Sequence, residues 1–282
     1  MKNEYTIKED LSLVLLEEDF TVEEIADLIG VSRRTVFNIL SGSIKPNKET
    51  LEKIYSFIYK DGYRLNKLKE EIYQDTGNFI LFHGSKNGID QIKVDGSRLS
   101  CDFGNGFYLG ESLDQAANFV CDFDESSVYV FSFNNSGLKT KVFDCELDWM
   151  IAICYYRGTI DKYKNHPKVA KIIKEVEKAD IIIAPIADNK MFQVMQSFAD
   201  GDISTTQAYH SLSSSTLGKQ YVLKSQKAID QLKQLERLYL CKEEKEQYLK
   251  RVLNHAKKID EELREAKRKY RREGLFIDEL FK

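Results

Sequence analysis

From residue 4 to residue 60, apolar positions recur every three or four residues between polar ones, and the stretch reads as all-helical. Its most patterned part is TVEEIADLIGVSRRTVFNILSGSIKPNKETLEKI. Thr21 can cap a helix, with Glu24 three residues on as in a capping box. Ile25, Ala26, Leu28 and Ile29 then supply an apolar face, and Gly30 can take the positive φ that ends a helix tightly. Ser32 caps the next helix, which points Val36, Ile39 and Leu40 inward, and Gly42 closes it. A further helix is predicted from about Lys48 to about Tyr59, with Leu51, Ile54 and Ile58 on one face.

The polar stretch 61–77 reads as a partly helical linker. After it the period changes. NFILFHGS, SSVYVFSFN, LKTKVFD, ADIIIAPIA and KQYVLKS are rich in β-branched and aromatic residues and read as strands. Helices are expected between them near Ser112–Val120, Glu146–Tyr156, Pro167–Glu177, Lys190–Phe198 and Thr205–Leu212. Strand and helix do not alternate regularly, so an α+β fold is expected rather than a doubly wound sheet. From about Ser225 to Arg272 the chain reads as helix again. Leu249, Val252, Ala256, Ile259, Leu263, Ala266 and Tyr270 form a heptad seam. That seam can pair with a second copy, pack on the body or take a partner protein. The basic cluster Lys267–Arg272 suits nucleic acid or a solvated helical face. The boundaries that follow are 1–60, 61–77, 78–230 and 231–282.

Composition adds exclusions. At 42% hydrophobic and 31% charged residues the chain reads as a soluble globular protein, without an apolar run of membrane-spanning length or a secretory signal core. The five cysteines form no CxxC pair, which points to the cytoplasm and argues against a disulfide framework or zinc site. His166, His210 and His255 have no cysteine or carboxylate at ligand spacing, so no metal is expected.

The two capped helices about Gly30 resemble the phage-repressor-like helix-turn-helix family over residues 21–55. The resemblance implies that Ser32, Arg33, Arg34, Phe37 and Asn38 lie on the exposed face of a recognition helix. Arginine and asparagine can bond guanine and adenine bidentately, and Lys45 and Lys48 would meet phosphates. Glu17, Glu18, Asp19, Glu23, Glu24 and Asp27 oppose a phosphate backbone, and a protein-contact role is the alternative.

Three short motifs follow. Phe82-His83-Gly84-Ser85 ends the first strand. Gly106-Phe107-Tyr108-Leu109-Gly110 leads into a helix running to Val120, and Gln220-Tyr221-Val222-Leu223 lies on a late strand. A histidine beside glycine at a strand end can bond a ligand hydroxyl while backbone approaches closely. The run Asp102–Gly106 is flexible enough to bend around a ligand, and Tyr108 offers a flat face. Together the motifs resemble the ADP-ribosyltransferases of the poly(ADP-ribose)-polymerase and diphtheria-toxin class. The region 78–230 also resembles an uncharacterised bacterial family placed near them.

That resemblance implies a split antiparallel β-sheet with flanking helices, preceded by the all-α helix-turn-helix domain and followed by a long helical tail. It implies NAD as substrate. His83 would bond the nicotinamide ribose, with the Gly84 backbone and Ser85 hydroxyl holding the carboxamide. Tyr108, after Gly106, would stack on nicotinamide, helped by Phe119 or Tyr221. Active members of the class carry glutamate where Gln220 stands, and glutamine can hydrogen-bond but cannot act as a base. Asp188 or Glu111 could supply a carboxylate instead, and Asp188 could equally be only a helix cap. The expected activity is transfer of ADP-ribose to a nucleic-acid or protein acceptor by a bacterial toxin or phage-defence effector. The alternatives are an inactive nucleotide-sensing transcriptional regulator and an interaction scaffold.

Overall fold

The computed structural model describes residues 4–17, 19–97, 100–213 and 217–282; Glu18 of the acidic run lies outside them. Five helices come first: α1 (Ile7–Glu17), α2 (Val22–Ile29), α3 (Arg33–Leu40), α4 (Lys48–Lys60) and α5 (Leu65–Asp75). Then follow β1 (Ile80–Ser85), β2 (Phe107–Gly110), α6 (Leu113–Asn118), β3 (Ser127–Phe133), β4 (Thr140–Val142), α7 (Leu147–Tyr156) and α8 (Pro167–Lys178). The rest is β5 (Ile181–Pro185), α9 (Asn189–Ala199), α10 (Thr205–Ser213), β6 (Lys219–Leu223), α11 (Gln226–Ile229), β7 (Leu232–Tyr239), α12 (Lys242–Lys269) and α13 (Ile277–Leu280). The fold is α+β, and the chain forms two compact units.

The first unit comprises Met1–Asp90, Ser112–Ser132 and Gln234–Lys250. Its helices α1 to α4 close on Leu11, Val14, Ile25, Val36, Ile39, Ile54 and Ile58. The caps around Gly30 form as the sequence predicts. Thr21 and Glu24 make the capping box, Gly30 has φ 75°, and Ser32 Oγ accepts from the Thr35 amide at 3.0 Å. Leu28 departs from expectation: it lies off the Ile25/Ala26/Ile29 stripe and is exposed beside Phe57 and the stems of Lys53 and Lys60.

The stretch 61–77, expected as a partly helical linker, holds α5, and the helix is packed. That helix buries Leu65, Asn66, Lys69 and Glu70. Lys69 pairs with Asp10 of α1 and with Glu236 of β7. Tyr73 Oη donates to the same Glu236 at 2.8 Å, and Tyr55 Oη to Asp10 at 2.6 Å. A buried cation with two carboxylate partners fixes one position for α5, because leaving any of them unpaired costs more than the pair gains. Strand β7 was not expected. Leucines at 232, 235 and 238 recur every three residues and read as helix, yet the segment is a strand beside β3 in the order β1-β3-β7. Glu236 is drawn inward by Lys69, a long-range pairing that local spacing does not encode.

The second unit comprises Gln91–Glu111, Phe133–Lys233 and Arg251–Lys282. Its strands run in the order β4-β5-β6-β2. β2 and β5 both pair antiparallel with β6, but β4 and β5 are parallel, so the sheet is mixed and the expectation of a purely antiparallel one is corrected. The reason is connectivity: α7 and α8 lie between β4 and β5 as a crossover, and only a crossover returns the chain in the same direction. One sheet face, with Ile182, Ala184 and Val222, packs on Trp149, Ile153, Met191, Met195 and Phe198 of α7 and α9.

Within this unit α12 docks on that core. Ile259 and Ala266 are buried, and Leu263 packs against the cluster, whereas Leu253 is 55% exposed. The apolar seam is thus spent inside the chain along this stretch. Ile259→Ala is expected to lower unfolding stability by about 2–4 kcal/mol, and Leu253→Ala by less than about 0.5 kcal/mol. Urea titration of both variants checks the difference; equal losses would contradict the docking of α12.

Candidate functional site

The helix-turn-helix presents α3 outward. Arg33, Arg34 and Phe37 are exposed, Phe37 to 63%, while Val36 and Ile39 hold the opposite face in the core. Arg34 makes no ion pair among the described residues. Arg33 pairs with Glu23, Lys45 with Glu4 and Lys48 with Glu125. These pairs are solvent-exposed and therefore weak, so a phosphate can displace the carboxylate. Ser32 spends its hydroxyl on capping α3, which leaves the helix N-terminus as its route to a phosphate. Asn38 sits half-buried one residue after Phe37.

The residues expected to hold NAD fall in both units. In the first, β1 alternates, so His83 and Ser85 share one face and Gly84 looks to the other. His83 stands opposite Tyr129 of β3. Ser85 Oγ donates to the Gly88 carbonyl at 2.7 Å. A Cβ on Gly84 would lie 2.3 Å from the Ala116 carbonyl of α6. The glycine is therefore required by a helix packed on the strand. Phe119 is the C-cap of α6 and is mostly exposed.

In the second unit, β2 and β6 pair with Tyr108 opposite Val222 and Gly110 opposite Gln220. Tyr108 and Gln220 thus lie on the same sheet face, and Tyr221 with Leu109 on the other. Tyr221 does not join Tyr108 at a common ligand ring. Gly106 approaches β6 so closely that a Cβ would meet Val222 Cγ1 at 2.6 Å.

The Tyr108–Gln220 face is occupied by the chain itself. Asp102 is buried there and accepts from Arg157 Nε at 2.9 Å and from Gln220 Nε2 at 2.9 Å. Gln220 Nε2 also donates to the Pro185 carbonyl at 3.0 Å. Tyr108 Oη donates to the Gly104 carbonyl at 2.7 Å and accepts from the Phe103 amide at 3.1 Å. Burial pushes its phenol well above the ordinary range. Lys224 Nζ donates to the Phe103 and Asn105 carbonyls. Ser97 Oγ accepts from the Gly106 amide at 3.0 Å, so the run 102–106, expected to bend around a ligand, is instead pinned by five side chains.

A family model described as "Protein of unknown function (DUF3990)" matches residues 79–234, more than half of the chain. The chain belongs to this family. A model described as "Helix-turn-helix" matches residues 12–57. No curated protein and no solved structure matches.

Within the DUF3990 region, Asp188 is the N-cap of α9, accepting from the Met191 amide at 2.7 Å. Its other oxygen lies 3.0 Å from His255 Nδ1. Glu111 accepts from the Lys219 amide at 3.0 Å on the strand face opposite Gln220. The carboxylate beside Gln220 is therefore Asp102, and neither Asp188 nor Glu111 was found there. In the sequence Asp102 stands out only as part of a flexible run and His255 only as a metal-ligand candidate, and Arg157 and Lys224 are not singled out. No local signal assigns any of the four its partner, because each partner is distant in the chain. Among the described residues no group of three His, Cys, Asp or Glu side chains could hold a metal ion, and no helix is long and apolar enough to cross a membrane.

Two outcomes test this cluster. Gln220→Glu would set a second carboxylate against Asp102 and is expected to lower stability at neutral pH by about 3 kcal/mol. Part of the loss should return below about pH 5, as one of two like charges takes up a proton; an unchanged melting temperature at pH 7 would remove Gln220 from this contact. Burial pushes the Lys224 ammonium down to about 8, while unfolded lysine stays charged to about pH 10.4. The unfolded chain then binds more protons in that window, so this group's contribution rises with pH from about 8 to about 10. Urea midpoints of wild type minus Lys224→Met should rise across that range, and a flat difference would refute the buried ammonium.

Proposed function

We propose that this protein binds duplex DNA through α3 and that its DUF3990 region is an NAD-dependent ADP-ribosyltransferase acting on a nucleic-acid or protein acceptor. The DNA part is the one the geometry supports best. The observation that carries it is the exposed face of α3, where Arg34, Phe37 and half-buried Asn38 stand outward on a helix held by Val36 and Ile39. Arg34 can take guanine and Asn38 adenine in the major groove, with Arg33 and Lys45 on phosphates.

The transferase part rests on the order and residue types of the three motifs, His83-Gly84-Ser85, Gly106-Phe107-Tyr108 and Gln220-Tyr221. In the proposed reaction the bond from C1′ to nicotinamide breaks, nicotinamide leaves with the electron pair, and the acceptor's nucleophile attacks C1′ and gives up its proton. The chemistry is chiefly positioning and electrostatic stabilisation. A toxin or phage-defence effector is the setting we favour for such an enzyme. A second reading, a DNA-binding regulator that senses NAD or a related nucleotide without turnover, is favoured by Gln220. Its amide already bonds Asp102 and Pro185, and it carries no charge to activate an acceptor.

The test has two arms. Arg34→Ala with Asn38→Ala should weaken specific duplex binding by about tenfold or more in a gel shift, and no binding by wild type at low salt would end the DNA reading. NAD labelled on the adenylate phosphate, incubated with protein and cell lysate, should leave label on a nuclease- or protease-sensitive acceptor, lost in His83→Ala. Calorimetric NAD binding without label or free nicotinamide would establish the sensor. Neither binding nor label would refute both NAD readings.

A further inference from the structure

The C-terminal end of α12 carries Lys267, Arg268, Lys269, Arg271 and Arg272 within six residues, all exposed. Among the described residues none of them pairs with a carboxylate, although upstream on the same helix Asp260 pairs with Lys190. Ala266 and Ile259 face the core, and with about 100° between successive residues Arg264, Lys267 and Arg268 fall on the outward side. The helix dipole favours cations at this end, but by only about 0.3–1 kcal/mol each and only within the last turn. Arg271 and Arg272 lie beyond it.

The segment is held in place. Gln207 Nε2 donates to the Lys267 carbonyl at 3.2 Å, Ser204 Oγ to the Glu273 carbonyl at 2.6 Å, and the Thr205 amide to the Leu275 carbonyl at 2.9 Å. The backbone that carries these five like charges is thus held in place, and although Glu265 and Glu273 flank them in sequence, none of the five is in an ion pair among the described residues.

Aromatic rings adjoin them. Tyr270 stacks on His210 of α10 with centroids 3.9 Å apart and planes at 6°. Tyr209 meets His210 edge-on at 5.4 Å and is 44% exposed. Cations along a backbone path beside stackable rings are what single-stranded nucleic acid engages. A lipid surface fits less well, because the apolar side of α12 next to the basic end, Ile259, Leu263 and Ala266, is already packed inside the protein. Leu275 and Phe276 stand exposed just after the basic segment.

We propose that the basic end of α12, with Tyr209 and the His210–Tyr270 stack, is a second nucleic-acid-binding surface, which grips the phosphates of a single strand and stacks its bases. It is independent of the helix-turn-helix.

The test uses the full chain carrying Arg34→Ala and Asn38→Ala, which disables base reading by α3, and a fluorescent oligodeoxythymidine read by anisotropy across salt concentrations. Replacing Lys267, Arg268, Arg271 and Arg272 by Gln should weaken binding at 50 mM salt by tenfold or more and reduce the log–log salt slope by about 3. Tyr209→Ala should weaken binding by about fivefold or more and leave the slope unchanged. All five side chains are exposed, and an unaltered circular-dichroism melt confirms that the variants fold. An unchanged slope in the Gln variant overturns the proposal. So does a loss of binding to phosphatidylserine vesicles with oligonucleotide binding intact. Failure of α3 to bind duplex in the parent chain leaves this readout unaffected, so the two readings fail separately.

Discussion

The second unit is organised around one buried carboxylate. Asp102 has lost its water and must be compensated where it sits, which Arg157 and Gln220 do together. Arg157 is the C-cap of α7, Gln220 belongs to β6, and Gln220 also reaches the carbonyl that ends β5. One charge thus ties a loop to a helix end and two strands. Phe103 follows Asp102 into the core, where it stacks on Phe143, and Tyr108 and Lys224 clamp the carbonyls that come after it. The charge pair and these packing and backbone contacts together hold the loop over that face of the sheet.

The first unit uses the same device with the signs reversed. Lys69 is the buried ion there, and Asp10 and Glu236 compensate it. Burial raises the Asp10 carboxyl above its usual range even with Lys69 beside it. The cost is accepted in exchange for position: α1, α5 and β7 each contribute one partner, so their register is specified more sharply than apolar contact alone would do. The core of Leu11, Ile25, Val36 and Ile54 supplies the bulk of the stabilisation and holds α3 with its polar face turned out.

This arrangement bears on how the functional motifs are understood. Gly84 and Gly106 have the spacing of ligand-approaching glycines, but each makes room for protein: a carbonyl of α6 in one case and a side chain of β6 in the other. Tyr108 and Gln220 share a sheet face, and their polar atoms bond the chain around Asp102. An NAD-handling role for this face therefore involves competition between substrate and loop for the same hydrogen-bonding groups. The outward face of α3 is engaged only by exposed ion pairs among the described residues.

Local pattern by itself determined the helix-turn-helix with its caps at Thr21, Gly30 and Ser32, the strands β1, β3, β4, β5 and β6, the helices between them, and the α+β class. These rest on interactions within a few residues, such as capping hydrogen bonds and side-chain period, which a sequence displays directly. The tertiary structure alone decided that leucines at every third position in 232–238 form a strand, that 61–77 holds a packed helix, and that β4 runs parallel to β5. It alone placed Asp102 with Gln220, and Asp188 with His255. Each of these depends on partners far apart in the chain, Lys69 with Glu236 or Arg157 with Asp102, and the energy of a buried ion pair is invisible until folding brings both ends together.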